Sequence, residues 1–275
     1  MALKIFYLTP EIEPFCGTYS LAKFTRKITV IYNEDPDIDV RLVQPKYGFI
    51  SERKYVIREV IRLRDLPIQF NNEELTVNLK SAFIPESRVQ VYFLQYNEFY
   101  KPLPELLYKA RNGRVYKDND IKFALFAKVA LDALKSLFWV PDVIVCNDWT
   151  TALVPALVKN YRDDEFYQNI KTAFLLHDLQ DDYRHCSREV FSMVGLEPPQ
   201  EGDVQDVLYY AMDNADKVVL VDDEEEALLK KVKSDKKLKE ILNRDTYSAV
   251  TVKKDPTRDD WKAAASSLKN LLQEL

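Results

Sequence analysis

Two short stretches place side chains able to do chemistry directly after buried-strand patterns: Asn147-Asp148-Trp149-Thr150-Thr151 and His177-Asp178. The first follows Val143-Ile144-Val145-Cys146 and the second follows Ala173-Phe174-Leu175-Leu176. An amide, carboxylates and an imidazole at strand carboxyl ends stand where open α/β sheets hold their ligands. Asp148 has two roles open to it, a ligand-contacting carboxylate or the cap of a helix beginning near Thr150. His177 is either a packed, satisfied residue or a hydrogen-bonding partner for a ligand. Trp149, Tyr19, Tyr47, Tyr92 and Tyr96 are flat and amphipathic, suited equally to core packing and to stacking against a ligand face. His185, Cys186, Asp178, Asp181 and Asp182 fall at no metal-ligand spacing, so no metal is expected. Cys16 lies near a helix start that could lower its pKa, but no histidine near it in sequence could act as its base.

The elements that must position these residues follow from hydrophobic patterning. Apolar runs rich in β-branched and aromatic residues at 3–8, 40–43, 55–63, 75–82, 89–94, 143–146, 172–176 and 218–221 read as strands. Helices are expected at 21–31, 120–139 and 152–161. In the second of these, Phe123, Phe126, Ala127, Ala130, Leu131, Leu134 and Leu137 repeat at spacings of three and four, with Asn119 or Asp120 as cap and Pro141 as stop. Strands without polar alternation, alternating with helices, indicate a Rossmann-like α/β domain with a mainly parallel sheet covered on both faces. Residues 52–96 read as an antiparallel hairpin insert. Residues 1–222 form that domain, and 223–275 are expected as a helical extension packed on it, the two making one structural unit. The extension comprises a charge-dense helical stretch at 224–242, a Lys253-Lys254-Asp255-Pro256 linker and a helix at 261–275 capped by Asp259 or Asp260.

Composition narrows the function further. The 275 residues are 47% hydrophobic and 30% charged with a net charge of −5, and no basic stripe marks a nucleic-acid surface. Three scattered cysteines fit a reducing cytoplasm, and no run is long enough for a membrane span. Only five glycines occur, too far apart to write a glycine-rich phosphate loop, and no cofactor is expected.

Several stretches, in order along the chain, resemble the N-terminal catalytic domain of the glycogen and starch synthases (glycosyltransferase family 5). They are Lys4-Ile5-Phe6-Tyr7-Leu8-Thr9-Pro10-Glu11 with Pro14-Phe15, Pro45-Lys46-Tyr47-Gly48, Val91-Tyr92-Phe93-Leu94 with Tyr96-Asn97, residues 118–155, Leu176-His177-Asp178-Leu179, Asp216-Lys217-Val218-Val219-Leu220-Val221 and Ile241-Leu242-Asn243. The resemblance implies one half of a GT-B enzyme. In that family the N-domain holds the glucan acceptor, a C-domain holds most of the ADP-glucose, and glucose passes to a 4-hydroxyl with retained configuration and no metal. It further implies His177 and Asp148 as catalytic, glucose-facing residues. Trp149, Asn147, Asp178, Tyr47, Tyr92 and Asn243 are implied as substrate-binding residues.

The donor side departs from the family pattern. Lys-Thr-Gly-Gly-Leu-Ala-Asp becomes Gly17-Thr18-Tyr19-Ser20-Leu21-Ala22-Lys23, which removes the cation and puts side chains where the backbone would approach a phosphate. His-Asp-Trp-His-Thr becomes Asn147-Asp148-Trp149-Thr150-Thr151, without either histidine. After Asn243 too few residues follow for a donor domain. The expectation is therefore a cytoplasmic acceptor-side half, inactive alone as a transferase (a pseudoenzyme in isolation). It would bind α-glucan or maltooligosaccharide rather than ADP-glucose, with a protein partner or second copy covering the face left open. The alternative is a non-catalytic glucan-binding or regulatory protein built on the same fold.

Overall fold

A computed structural model describes residues 2–104, 106–199, 202–242 and 247–275. β1 (Leu3–Leu8) runs through a loop at 9–19 into α1 (Ser20–Glu34), which stops before Pro36 because a residue preceding proline is driven out of the helical region. β2 (Ile38–Pro45) lies parallel to β1, with Leu3 opposite Ile38. The insert follows as α2 (Glu52–Tyr55), β3 (Arg58–Glu59), β4 (Leu66–Phe70) and β5 (Glu73–Phe83). β6 (Gln90–Gln95), α3 (Asn97–Tyr100) and α4 (Asn119–Leu137) complete the first half. The second half contains β7 (Val143–Asn147), α5 (Val154–Asn160), β8 (Lys171–Leu176), β9 (His185–Ser187), α6 (Glu189–Met193), β10 (Val204–Asp206), α7 (Val207–Asn214) and β11 (Lys217–Asp222). It continues as α8 (Ala227–Ser234), α9 (Leu238–Ile241), β12 (Tyr247–Thr251) and α10 (Arg258–Gln273).

The main sheet has the order β12-β11-β8-β7-β1-β2-β6-β5-β3, with β4 paired to β5. Neighbours from β12 through β6 are parallel, while β5 runs antiparallel to β6, β3 and β4. The chain first adds strands on one side of β1 and then crosses to the other, so the winding reverses between β1 and β7. That reversal opens a crevice at the strand carboxyl ends. β7 is buried along its whole length and β8 nearly so, as expected of strands covered on both faces. α4 ends where Phe138 turns left-handed (φ 51°), three residues before Pro141.

Two parts differ from the sequence expectation. The apolar run at 55–63 is not one strand but the end of α2, the two-residue β3 and a 3-10 turn at Ile61–Leu63. Ser51 caps α2 through the amide of Lys54; Ile57 and Leu63 are buried but Val56 and Ile61 are exposed, so the run has no continuous face to bury as one strand. β4 emerges instead at 66–70, where Pro67 restricts it to a short outer pairing.

The C-terminal segment is also not purely helical. Asp235 ends α8, and its carboxylate accepts the amides of Lys237 and Leu238 at the start of α9. β12 then lies parallel along β11, Val218 opposite Tyr247, with Val250 fully buried, so one sheet runs through the 222/223 boundary. Tyr-Ser-Ala-Val-Thr has the β-branched and aromatic content of a strand, which the flanking charges obscure. α10 packs on α1 through Tyr32, whose hydroxyl donates to the Ala265 carbonyl at 3.1 Å, and through the Lys269–Asp35 pair at 2.6 Å. Its cap is Thr257, and Asp260 is the reciprocal partner in a capping box. Thr257→Ala is expected to cost about 1 kcal/mol, read as a lower urea midpoint at unchanged slope. Among the described residues no helix is long and apolar enough to cross a membrane.

Candidate functional site

Four loops at the strand carboxyl ends, those following β1, β8, β11 and β12, together with the first turn of α1, line a cleft of about 440 Å³. Its wall includes Tyr19, Phe24, His177, Asp178, Lys231 and Trp261.

β7 and β8 are adjacent, Asn147 opposite Leu175, which is why the two polar clusters come together. Asn147 donates its Nδ2 to the Leu8 carbonyl at 2.7 Å, which fixes the amide and turns Oδ1 toward His177 Nε2 at 3.0 Å. An amide oxygen only accepts, so Nε2 carries the hydrogen and Nδ1 keeps a lone pair. Burial pushes the imidazole down to about 3, so it is neutral at pH 7. Its ring packs edge-on against Phe24 at 5.0 Å between centroids. His177 is therefore suited to accept a hydroxyl hydrogen from a ligand rather than to donate a proton.

Asp148 is fully buried, and its backbone has φ 53°, strained for a residue with a side chain. Its amide donates to the Leu175 carbonyl at 2.9 Å. Oδ1 accepts the His177 amide at 2.7 Å and Oδ2 accepts the Tyr19 hydroxyl at 2.7 Å. Burial pushes the carboxyl up to about 7, against the stabilising pull of these donors. The side chain caps no helix, although Asp148 does precede the 3-10 turn Trp149–Thr151. It does not line the cleft: Tyr19 holds its Oδ2, and its Oδ1 positions the His177 backbone.

The remaining expected site residues separate clearly. Asp178 lies on the cleft wall, half-buried, and pairs with Lys231 at 2.9 Å. Trp149 is 5% exposed, ringed by Tyr108, Phe123 and Tyr183 at centroid distances of 5.4, 4.9 and 5.6 Å, so its faces are covered and no sugar can stack on it. Tyr47 and Tyr92 are also core residues; the Tyr47 hydroxyl donates to the Pro10 carbonyl and that of Tyr92 to Gln90 Oε1. Asn243 lies outside the described residues. Gly17 and Thr18 are exposed in the loop after β1, while Tyr19 and Ser20 reach the cleft. Burial pushes the Cys16 thiol well up, the opposite of an activated nucleophile. Among the described residues no three groups converge as metal ligands.

Sequence reasoning missed the importance of Glu11. This buried carboxylate accepts the Thr18 hydroxyl at 2.7 Å, the Thr18 amide and the Tyr108 hydroxyl, and it ties the loop after β1 to the segment ahead of α4. Among the described residues no cation contacts it, and burial pushes its carboxyl up against the pull of those donors. An acid just beyond the carboxyl end of the central strand was the available signal. Phe24 and Trp261, two apolar residues of the wall, lie 6.2 Å apart by centroid but 237 positions apart in sequence, with no local signature.

A parallel sheet with its winding reversal at β1/β7, and a polar cleft there, defines a Rossmann-like domain of the kind that forms one half of a GT-B glycosyltransferase. The chain belongs to the family described as starch synthase catalytic domain, whose model matches residues 4–243. It is 31% identical over 227 residues to a glycogen synthase of Chlorobium phaeovibrioides, covering 78% of this chain and 44% of that protein. To a glycogen synthase of Chlorobium luteolum it is 36% identical over 176 residues, covering 64% of this chain and 36% of the relative. The chain thus spans less than half the length of these curated relatives. In fold it resembles the catalytic domain of starch synthase IV from Arabidopsis thaliana, bound to ADP and acarbose. The TM-score is 0.74 at 17% identity, covering 91% of this chain and 52% of that one.

Proposed function

We propose that this chain is the acceptor-side half of a glucosyltransferase of the glycogen and starch synthase type, holding the end of an α-glucan in the cleft. The observation that supports it is His177, which the motif resemblance implies as glucose-facing, neutral on the cleft wall with Nδ1 free of any hydrogen bond among the described residues. The Asp178–Lys231 pair supplies a polar rim for the hydroxyls of a pyranose ring, while Phe24 and Trp261 are buried apolar residues of the wall. Gly17 stands where the family motif carries its phosphate-facing lysine, so in this reading the loop after β1 lacks the cation that would hold a donor diphosphate.

Calorimetric titration with maltooligosaccharides and glycogen tests the proposal. Wild type is expected to bind, and His177→Ala to bind about tenfold or more weakly, the equivalent of one lost hydrogen bond with its desolvation cost. Equal binding by both proteins would move the glucan off this cleft.

A further inference from the structure

Tyr19 stands where the family motif has its first glycine, and its side chain bridges the cleft and Asp148. It belongs to the cleft wall, while its hydroxyl donates to Asp148 Oδ2 at 2.7 Å. Asp148 itself is 0% exposed and has its other oxygen on the His177 amide at 2.7 Å. The oxygen that would otherwise serve the cleft is thus occupied by a phenol, at the distance a sugar hydroxyl takes on a carboxylate. Tyr19 is also placed to move. It is the residue ahead of α1, with extended backbone (φ −152°, ψ −176°) and no side-chain cap bond to the helix. A χ1 rotation swings the ring without unwinding α1.

We infer that Tyr19 is a displaceable plug whose phenol fills the seat at Asp148 that a glucosyl hydroxyl would take. The inference rests on the glucan reading above and gives it a selectivity: a ligand must turn the ring out to reach the carboxylate. Only a glucan with further contacts along the cleft wall, at the Asp178–Lys231 pair, compensates for that displacement. The plug therefore favours maltooligosaccharides over free glucose, whereas glycine at this position leaves the seat open to either.

Titration with maltotriose and with glucose tests this on wild type, Tyr19→Phe, Tyr19→Gly and Tyr19→Gly/Asp148→Asn. Tyr19→Phe keeps the ring in the wall but releases its anchor, and is expected to tighten maltotriose about fivefold. Tyr19→Gly should tighten it about tenfold or more and bring glucose into measurable range, a gain of the size of one hydrogen bond to a charged group. Asp148→Asn in that background should lose the gain. A readout independent of sugar is carbodiimide coupling of glycinamide to Asp148, followed by mass spectrometry. Wild type should be protected and Tyr19→Gly labelled. Equal maltotriose binding by wild type, Tyr19→Phe and Tyr19→Gly overturns the plug and leaves the glucan reading standing. Labelling confined to Tyr19→Gly, with no sugar bound by any of the proteins, upholds the plug and sinks the glucan reading.

Discussion

Gly48→Ala is expected to destabilise the protein by about 3 kcal/mol or more, the upper end of overpacking costs. A Cβ at this position would lie 2.2 Å from the Lys101 carbonyl oxygen and 3.0 Å from that residue's carbonyl carbon and Cα. All three are backbone atoms, so no side-chain rotation relieves the clash. The two segments are also bonded to each other, since the Gly48 amide donates to the Tyr100 carbonyl at 3.1 Å. Pushing them apart breaks that bond and lifts the turn after β2 off the end of α3, next to the buried Tyr47 and Tyr100 rings. Gly113 is the control: its φ is +84° but nothing lies within 4 Å of its Cβ direction. Gly113→Ala should cost only the dihedral strain of about 1–2 kcal/mol. Urea midpoints of the two variants separate space from backbone strain. A Gly48→Ala midpoint equal to that of Gly113→Ala would refute the close-packed turn.

The second large effect is a pair of opposed pH dependences in adjacent residues. Asp148 is raised to about 7, so folding favours its protonated form. Its contribution to stability is fully present below the ordinary carboxyl value near 4 and is lost as pH rises through about 7. His177 is lowered to about 3, so folding favours the neutral ring. Its contribution is present above the ordinary value of about 6.5 and is lost as pH falls toward 3. Between pH 4 and 6.5 the two slopes run against each other and nearly cancel in the wild type. Asp148→Asn removes one of them, and stability should then fall between pH 6.5 and pH 4 by an amount on the order of 3 kcal/mol. His177→Asn leaves the other, and stability should rise over the same fall in pH. Urea midpoints at pH 4, 5, 6 and 7 report both. Parallel profiles for wild type and the two variants would show that neither group titrates as its burial demands.

What the chain reveals of itself before folding depends on the range of the signal. β1 and β8 were legible because a short apolar run, bounded by polar residues, carries its own evidence of double-sided burial. Asp148 and His177 were legible as a pair because each follows such a strand, and the two strands are neighbours in the sheet. That Trp149, Tyr47 and Tyr92 lie in the core was not legible, because an aromatic ring is a platform or a core residue according to what covers it. For Trp149 the cover is Tyr108 and Tyr183, far away on both sides of the chain. The Glu11–Tyr108 contact spans 97 positions and has no local pattern at all. β12 was hidden by its charged surroundings, although its place beside β11 follows once the sheet needs another neighbour there.

The packing of α10 on α1 also sets the order in which the molecule is completed. The Tyr32–Ala265 bond joins positions 233 apart, and Trp261 closes the wall that Phe24 begins. Contacts of such high sequence separation form after the local ones, because loop closure must precede them. During synthesis the sheet from β1 through β8 can assemble while the cleft still lacks one side. That side of the cleft wall is then completed last, and a nascent chain stalled before residue 261 carries His177 and Tyr19 beside an open flank.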